Sequence, residues 1–179
     1  MNIGEEIVAA YLQDIKKCEF IQQNLNTPDT QGEIDVIGID INNEILYVCE
    51  VAIHLVTGLR YTKNNRPNNV NKLFEKFTRD IEYSKKHFPH YKKHFILWSP
   101  IVKNDRLKDI KEIAYRIRKK HHVGIECIIN KGFLDCLSEL RRFASTKTKD
   151  LKSPVLRLFQ IEAYTTKHVM KILKSNRDK

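Results

Sequence analysis

The sequence of 179 residues lacks any long apolar run. No stretch approaches the roughly 18 consecutive apolar residues of a membrane span, and the N-terminus has no basic flank followed by an apolar run. We therefore expect no membrane contact, no secretory signal and a cytoplasmic location. The four cysteines include no CxxC pair. This spacing argues against a zinc site, and a disulfide framework is not expected in a core of this size.

Basic residues are nearly absent from the first 54 positions, which carry two lysines against ten acidic residues, a net charge of −8. Residues 55–179 carry 30 basic and 12 acidic residues, a net charge of +18. Solubility alone accounts for a small excess of either sign, but not for acids gathered in one segment. A strongly basic surface is expected of a protein that binds a polyanion such as nucleic acid.

Length and composition predict one globular domain over residues 1–179. Hydrophobic residues make up 41% and charged residues 30% of the chain, which is typical of a folded domain rather than a disordered one. A chain of this length is long enough for one full hydrophobic core. Between the second and third predicted strands, Asn42-Asn43 predicts a tight turn, because asparagine tolerates a positive φ.

Hydrophobic periodicity predicts the element order αβββαβαβαα. The predicted helices cover residues 3–17, 70–88, 106–121, 132–143 and 154–173, and the predicted strands cover residues 18–25, 33–40, 45–55, 94–100 and 123–130. This order predicts an α/β fold with a mixed central sheet flanked by helices. We expect a core over about residues 1–130 and a C-terminal helical extension over about residues 131–179.

Acidic residues stand inside two of the predicted strands. Asp35 lies within EIDVIG and Glu50 within YVCEVAI. Strand alternation puts Val48, Glu50, Ala52 and His54 on one face. An unpaired buried carboxylate costs several kcal/mol, but two carboxylates from adjacent strands of a hairpin can bind a hard cation such as Mg²⁺. The alternative is that each acid pairs with a Lys or Arg from a covering helix.

Three segments together resemble a known family. GEEIVAAYL over residues 4–12, GEIDVIGID over residues 32–40 and ILYVCEVA over residues 45–52 are similar to the core signature of the PD-(D/E)XK nuclease superfamily. The similarity is greatest to its Holliday-junction-resolvase-like and restriction-endonuclease-like branches. The resemblance implies a restriction-endonuclease-like αβββαβ core. It also implies a metal-dependent nuclease that uses Mg²⁺ or Mn²⁺ to hydrolyse the phosphodiester bonds of DNA.

The resemblance further implies roles for individual residues. Asp35 and Glu50 would bind the metal through their carboxylates, and Val51 would add its carbonyl as a further ligand. Glu5, at the start of the first helix, would help to position metal or water, with Glu6 as the competitor for that role.

Ala52 departs from the family pattern, because the family has a lysine two residues after the strand glutamate. Alanine can neither hold a water nor stabilise developing negative charge. Three explanations stay open. A lysine of the following helix takes this role, with Lys76 favoured over Lys72; or His54 positions a water or contacts a phosphate; or the protein is a catalytically inactive nuclease-fold nucleic-acid-binding protein.

A basic loop directly follows the strand that carries Glu50. Its side chains could grip phosphates or contact base edges, and the residues expected to bind nucleic acid, most simply DNA, are Arg60, Tyr61, Lys63 and Arg66. The last predicted helix has apolar residues that could contact a second copy of the chain, so a homodimer also stays open. These residues are Val169, Met170, Ile172 and Leu173.

Overall fold

The computed structural model describes residues 2–28 and 32–177. Within these ranges the helices are α1 (Ile3–Ala10), α2 (Asn69–His87), α3 (Leu107–His121), α4 (Lys131–Ser145) and α5 (Pro154–Arg177). The strands are β1 (Phe20–Thr27), β2 (Gly32–Asp40), β3 (Ile45–Val51), β4 (Thr62–Lys63), β5 (Arg66–Pro67), β6 (Lys92–Ser99) and β7 (Ile125–Ile129). A π-helical turn over Tyr11–Ile15 extends α1, and a 3₁₀ turn over Asn104–Arg106 precedes α3.

Five strands form one mixed sheet in the order β1-β2-β3-β6-β7. The β1–β2 and β2–β3 pairs are antiparallel, whereas β3–β6 and β6–β7 are parallel. The predicted α/β fold, with a mixed sheet flanked by helices and with C-terminal helices, is confirmed. The apolar strand β3 lies at the centre of the sheet, so both of its faces are covered.

The two faces of the sheet carry separate hydrophobic clusters. One face packs against α1, α4 and α5 and buries Trp98, whose exposed fraction is 0%. The other face packs against α2 and α3 and buries Phe77 equally completely. Val48 and Ala52 belong to the α2 side and Cys49 and Val51 to the α1 side, which confirms the predicted alternation along β3.

The segment over residues 57–69 differs from the predicted loop, because part of it forms the small antiparallel hairpin β4–β5. Asn64 and Asn65 form its two-residue turn with φ values of 50° and 59°, as a type I′ turn requires. In the turn between β2 and β3, by contrast, the positive φ falls on Glu44. The tight turn predicted at Asn42-Asn43 is present, although neither asparagine has the positive φ that it would tolerate. Asp40 Oδ1 accepts from the Asn43 amide at 2.9 Å and shapes that turn instead.

None of the helices within the described residues is both long and apolar enough to pass through a membrane. The longest of them, α5, packs through Val155, Leu156 and Phe159 near its start. The apolar residues of its second half, which include the four considered for a homodimer, are exposed to solvent.

Candidate functional site

The carboxylates of Asp35 and Glu50 lie beside each other at the end of the β2–β3 ladder. The last residue pair of that ladder is Val36–Cys49, and the next positions along the two strands are Asp35 and Glu50. Here Asp35 Oδ2 accepts a hydrogen bond from the Val51 amide at 2.7 Å. The side chain of Asp35 thus continues the hydrogen bonding where the main-chain pairs stop, and this fixes the direction of its carboxylate. Both acids are buried, with exposed fractions of 6% and 1%.

Lys76 of α2 reaches both carboxylates with one ammonium group. Its Nζ lies 3.4 Å from each carboxylate oxygen of Asp35 and forms an ion pair with Glu50 Oε2. Burial by itself would lower the pKa of Lys76, but Glu50 and Asp35 outweigh this effect and raise the pKa above its usual value. The ammonium therefore stays charged, and the two carboxylates converge on a single cationic centre.

Arg79 and Asp80 extend the cluster along α2. Arg79 donates to Glu50 Oε1 at 3.1 Å, to the Glu33 carbonyl, and through Nε to Asp80 Oδ1 at 2.9 Å. Asp80 is fully buried, and its Oδ2 accepts from no amide, hydroxyl or basic group in the part of the chain that the structure describes. Sequence reasoning missed Asp80. The sequence feature that could have indicated it is its position at helical spacing among Phe77, Ile81 and Ser84, which are also buried.

Burial raises the pKa of Glu50 well above its usual value, and the nearby acids Asp80 and Asp35 add to this effect, while Lys76 opposes it. Burial also raises the pKa of Asp80, while a hydrogen bond with Glu50 and the charges of Arg79 and Lys76 oppose this shift. Three acids thus share a buried volume with two cations. In such a volume an unbalanced charge is costly, so a proton or a further cation is favoured there.

Glu5 is buried at the start of α1 and accepts hydrogen bonds from Asn2 and from Asn24 Nδ2, the latter at 3.0 Å. Asn24 lies opposite Asp35, between the pairs Gln23–Val36 and Leu25–Ile34 of the β1–β2 ladder. Among the described residues, no hydrogen bond or ion pair joins Glu5 directly to Asp35, Glu50 or Lys76. Its role at a metal stays a prediction.

Glu6, the competing acid, accepts from Gln23 Nε2 at 3.1 Å. This contact joins Glu6 to β1, and the contact with Asn24 joins Glu5 to the same strand. Neither acid contacts the carboxylate pair in the described part of the chain, so the geometry does not separate the two alternatives.

Ala52 and His54 follow Glu50, and neither contacts the carboxylates within the described residues. Ala52 is buried in the apolar cluster on the α2 side, and its amide donates to the Trp98 carbonyl at 2.8 Å. His54 Nδ1 accepts from the Arg60 amide at 3.4 Å, and its ring packs edge-to-face on Tyr61 at 5.1 Å. Burial raises the pKa of Tyr61. The charge of Lys76 opposes this shift, and the charges of Glu50 and Asp35 add to it. His54 therefore contacts Tyr61, whose titration the cluster influences, rather than the acids themselves.

The basic residues predicted to bind nucleic acid lie on the segment that leads into α2. Lys63 and Arg66 face each other across the β4–β5 hairpin and are exposed, as is Arg60. The hairpin leads directly into α2, whose basic residues line a cavity of about 690 Å³. The lining residues are Asn26, Thr27, Pro28, Gly32, Glu33, Lys72, Lys76 and Arg79.

The two glycines of the GE pairs allow close approaches around the site. A Cβ at Gly4 would overlap the Ile53 side chain and lie 3.2 Å from Val51 Cγ1, so the glycine lets the start of α1 lie against the end of β3. A Cβ at Gly32 would lie 2.6 Å from Arg79 Cδ. This glycine leaves room for Arg79 to cross β2 and reach Glu50.

The donor set of the cluster suits a hard cation that keeps most of its waters. No group of three or more His, Cys, Asp or Glu side chains in the described residues could hold a metal ion by itself. Mg²⁺ is commonly bound by one or two carboxylates with waters and substrate phosphates. Asp35 and Glu50 already hold one cationic group between them, so they fit this kind of site, provided that Lys76 moves aside.

No protein-family model, curated protein or solved structure matches the chain.

Proposed function

We propose that this protein is a metal-dependent nuclease of the PD-(D/E)XK type, with a restriction-endonuclease-like core, that hydrolyses DNA phosphodiester bonds. The observation that carries the proposal is the ammonium of Lys76 held between Asp35 and Glu50 on adjacent strands. A divalent cation can take the place of that ammonium without any rearrangement of the strands. The lysine then remains at the site as a free donor.

Four side chains of the cluster have a part in this proposal. Asp35, oriented by the Val51 amide, and Glu50, oriented by Arg79, would hold Mg²⁺ or Mn²⁺ together with the Val51 carbonyl. The metal would supply an activated water and offset the charge that builds on the phosphate. Lys76, displaced from the carboxylates, would hold the attacking water or donate to a phosphate oxygen. Lys76 thereby takes the role of the lysine that Ala52 replaces.

The basic surface beside the cluster supports a polyanionic substrate. Lys72 of α2 lines the same cavity as Lys76, and the exposed Lys63 and Arg66 lie on the β4–β5 hairpin that precedes α2, so we place the approach of the substrate on this side. Cations on that approach would attract the phosphate backbone, whereas the acids below it would hold the metal. Such a protein would meet DNA in the cytoplasm.

A plasmid-nicking assay at low salt tests the proposal. Wild-type protein with Mg²⁺ or Mn²⁺ is expected to nick supercoiled DNA, and EDTA is expected to stop it. Asp35→Ala and Glu50→Ala are expected to lose metal-dependent cleavage while staying folded. The exposed Asp135→Ala, which removes a carboxylate from α4, serves as the matched control and is expected to cleave normally. Full cleavage by either site variant would refute the proposal.

The burial of Ala52 favours a second candidate, a catalytically inactive nuclease-fold protein that binds nucleic acid. The position of the family lysine is here part of an apolar core. In that case Lys76 and Arg79 would only neutralise the buried acids, and Asp35 and Glu50 would not bind a metal. Salt-dependent DNA binding without cleavage under any divalent metal would select this alternative.

A further inference from the structure

Asp80 is a buried acid for which the proposed metal-binding residues leave no role. Its side chain is fully buried on the sheet-facing side of α2. One carboxylate oxygen is occupied, because Oδ1 receives Arg79 Nε at 2.9 Å and lies 2.8 Å from Arg79 Nη2. Oδ2 accepts from no amide, hydroxyl or basic group among the described residues, and Asp80 instead has a second acid, Glu50, as its side-chain neighbour. A buried carboxylate oxygen without a donor is costly, so its retention calls for an explanation.

The guanidinium of Arg79 joins Asp80 to the proposed metal ligand Glu50. Arg79 Nη2 lies 3.1 Å from Glu50 Oε1 and 2.8 Å from Asp80 Oδ1. A planar guanidinium held on two carboxylates at once has little freedom to rotate. Asp80 therefore fixes the direction from which Arg79 meets Glu50.

The balance of charge argues against a purely structural role for Asp80. Lys76 and Arg79 already neutralise Asp35 and Glu50, so these four residues form a balanced cluster. Asp80 adds a third acid without a third base. An ion-pair network kept only for stability gains little from a third buried acid, which needs a proton or a further cation to balance it.

We propose that Asp80 is a positioning residue of the metal site: through Arg79 it holds the Glu50 carboxylate toward Asp35, where the pair can bind a divalent cation. This inference rests on the proposed function, because it concerns the same metal. Residues that hold a metal ligand in place without contacting the metal fix the orientation of that ligand, and their loss commonly weakens metal binding.

The test is a calorimetric titration of the full-length protein with Mn²⁺. Asp80→Asn is expected to weaken Mn²⁺ binding by about 10- to 100-fold, the range typical for the loss of such a partner. Asp135→Asn, an exposed acid on α4, is the matched control and should bind Mn²⁺ like wild type. Thermal unfolding in EDTA supplies a second readout. Asp80→Asn keeps an oxygen that can accept from Arg79, so a cooperative unfolding transition is expected, and this shows that the weaker Mn²⁺ binding does not come from loss of the fold.

A second variant keeps the test decisive if Asp80→Asn does not fold. Arg79→Lys retains the charge but loses the fork that spans two carboxylates, and it is also expected to weaken Mn²⁺ binding. If a folded Asp80→Asn or Arg79→Lys variant binds Mn²⁺ as tightly as the wild-type protein does, the proposed role of Asp80 is overturned. The nuclease proposal would still stand. Absence of both Mn²⁺ binding and cleavage in the wild type would overturn both.

Discussion

At the scale of single residues, Lys76 lies where a metal would have to bind. Its ammonium contacts both Asp35 and Glu50, so it competes with a cation for these ligands. In the proposed function the same ammonium, once displaced, would donate to the attacking water or to a phosphate oxygen. Lys76 is therefore expected to weaken metal binding and to promote cleavage, and these two effects can be separated by mutation.

Lys76→Met is expected to lower the rate of DNA cleavage by about 10²- to 10³-fold, the cost of losing one preorganised donor, without weakening Mn²⁺ binding. Cleavage rates and Mn²⁺ titration measure the two effects separately. Lys72→Met is the matched control, since Lys72 lines the same cavity on the same helix but forms no ion pair with the two acids in the described part of the chain. Loss of cleavage in Lys72→Met alone would reverse this assignment.

Glu50 makes the stability of the metal-free protein depend on pH. Its pKa is raised in the folded state, so its contribution to stability is complete below the unfolded value near 4.5 and is lost as the pH rises through the folded pKa. Glu50→Gln does not titrate, whereas Asp80 titrates in both proteins. In EDTA, the Tm of Glu50→Gln relative to wild type is expected to increase as the pH rises above 4.5. A difference that stays constant with pH would contradict the raised pKa.

Part of this cluster could be predicted from the sequence. Asp35 and Glu50 stood out as acids inside apolar strands, and Lys76 followed from the search for a replacement lysine; the structure brings these three together. Asp80 looked like one more acid of an amphipathic helix, and only its burial distinguishes it. His54 shares the strand spacing of Glu50, but the chain turns after β3 and pairs its ring with Tyr61.

At the scale of helices and strands, the close approach of α1 to β3 depends on Gly4. Gly4→Ala would force the Ile53 side chain to shift and is expected to lower the free energy of unfolding by about 1–3 kcal/mol, the usual cost of overpacking. Gly132→Ala is the matched control, because Gly132 is also the second residue of a helix and its Cβ would meet nothing within 4 Å. Chemical denaturation would measure both changes.

The control has its own expected result. Gly132→Ala should be neutral or stabilising by up to about 1 kcal/mol, the difference in helix propensity. Equal destabilisation by both substitutions would show that the contact with Ile53 does not matter.

Periodicity predicted most elements because their burial follows one face of a helix or one side of a strand. The β4–β5 hairpin was not predicted, since Thr62–Lys63 and Arg66–Pro67 are too short and too exposed to show an alternating pattern. In the turn between β2 and β3, which the sequence did predict, the positive φ lies on Glu44 rather than on Asn42 or Asn43. Near Asn43 the side chain of Asp40 supplies the turn hydrogen bonds, an interaction that spacing alone does not reveal.

At the scale of the whole molecule, the acidic and the basic parts of the sequence meet at one site. The acidic first third supplies Asp35 and Glu50, and the basic remainder supplies Lys76 and Arg79, which pair with them. A substrate bound over the hairpin would release counterions from its backbone. The strength of DNA binding is therefore expected to depend steeply on salt.

The double variant Lys63→Ala/Arg66→Ala is expected to reduce the slope of log affinity against log salt by about 2, since each lost phosphate contact removes about 0.9. Fluorescence anisotropy with a labelled duplex over a range of salt concentrations measures this slope. Lys131→Ala/Arg142→Ala removes the same charge from α4, on the other side of the sheet, and should change the slope much less. Equal effects of the two pairs would mean that the hairpin has no special part in binding.

A crystal soaked in Mn²⁺ would show whether Asp35 and Glu50 bind a divalent metal ion, as proposed. The predicted result is an anomalous peak that contacts both carboxylates, with the Lys76 ammonium displaced from between them. Lys76 still bridging the two acids, with no anomalous peak at either one, would contradict the account.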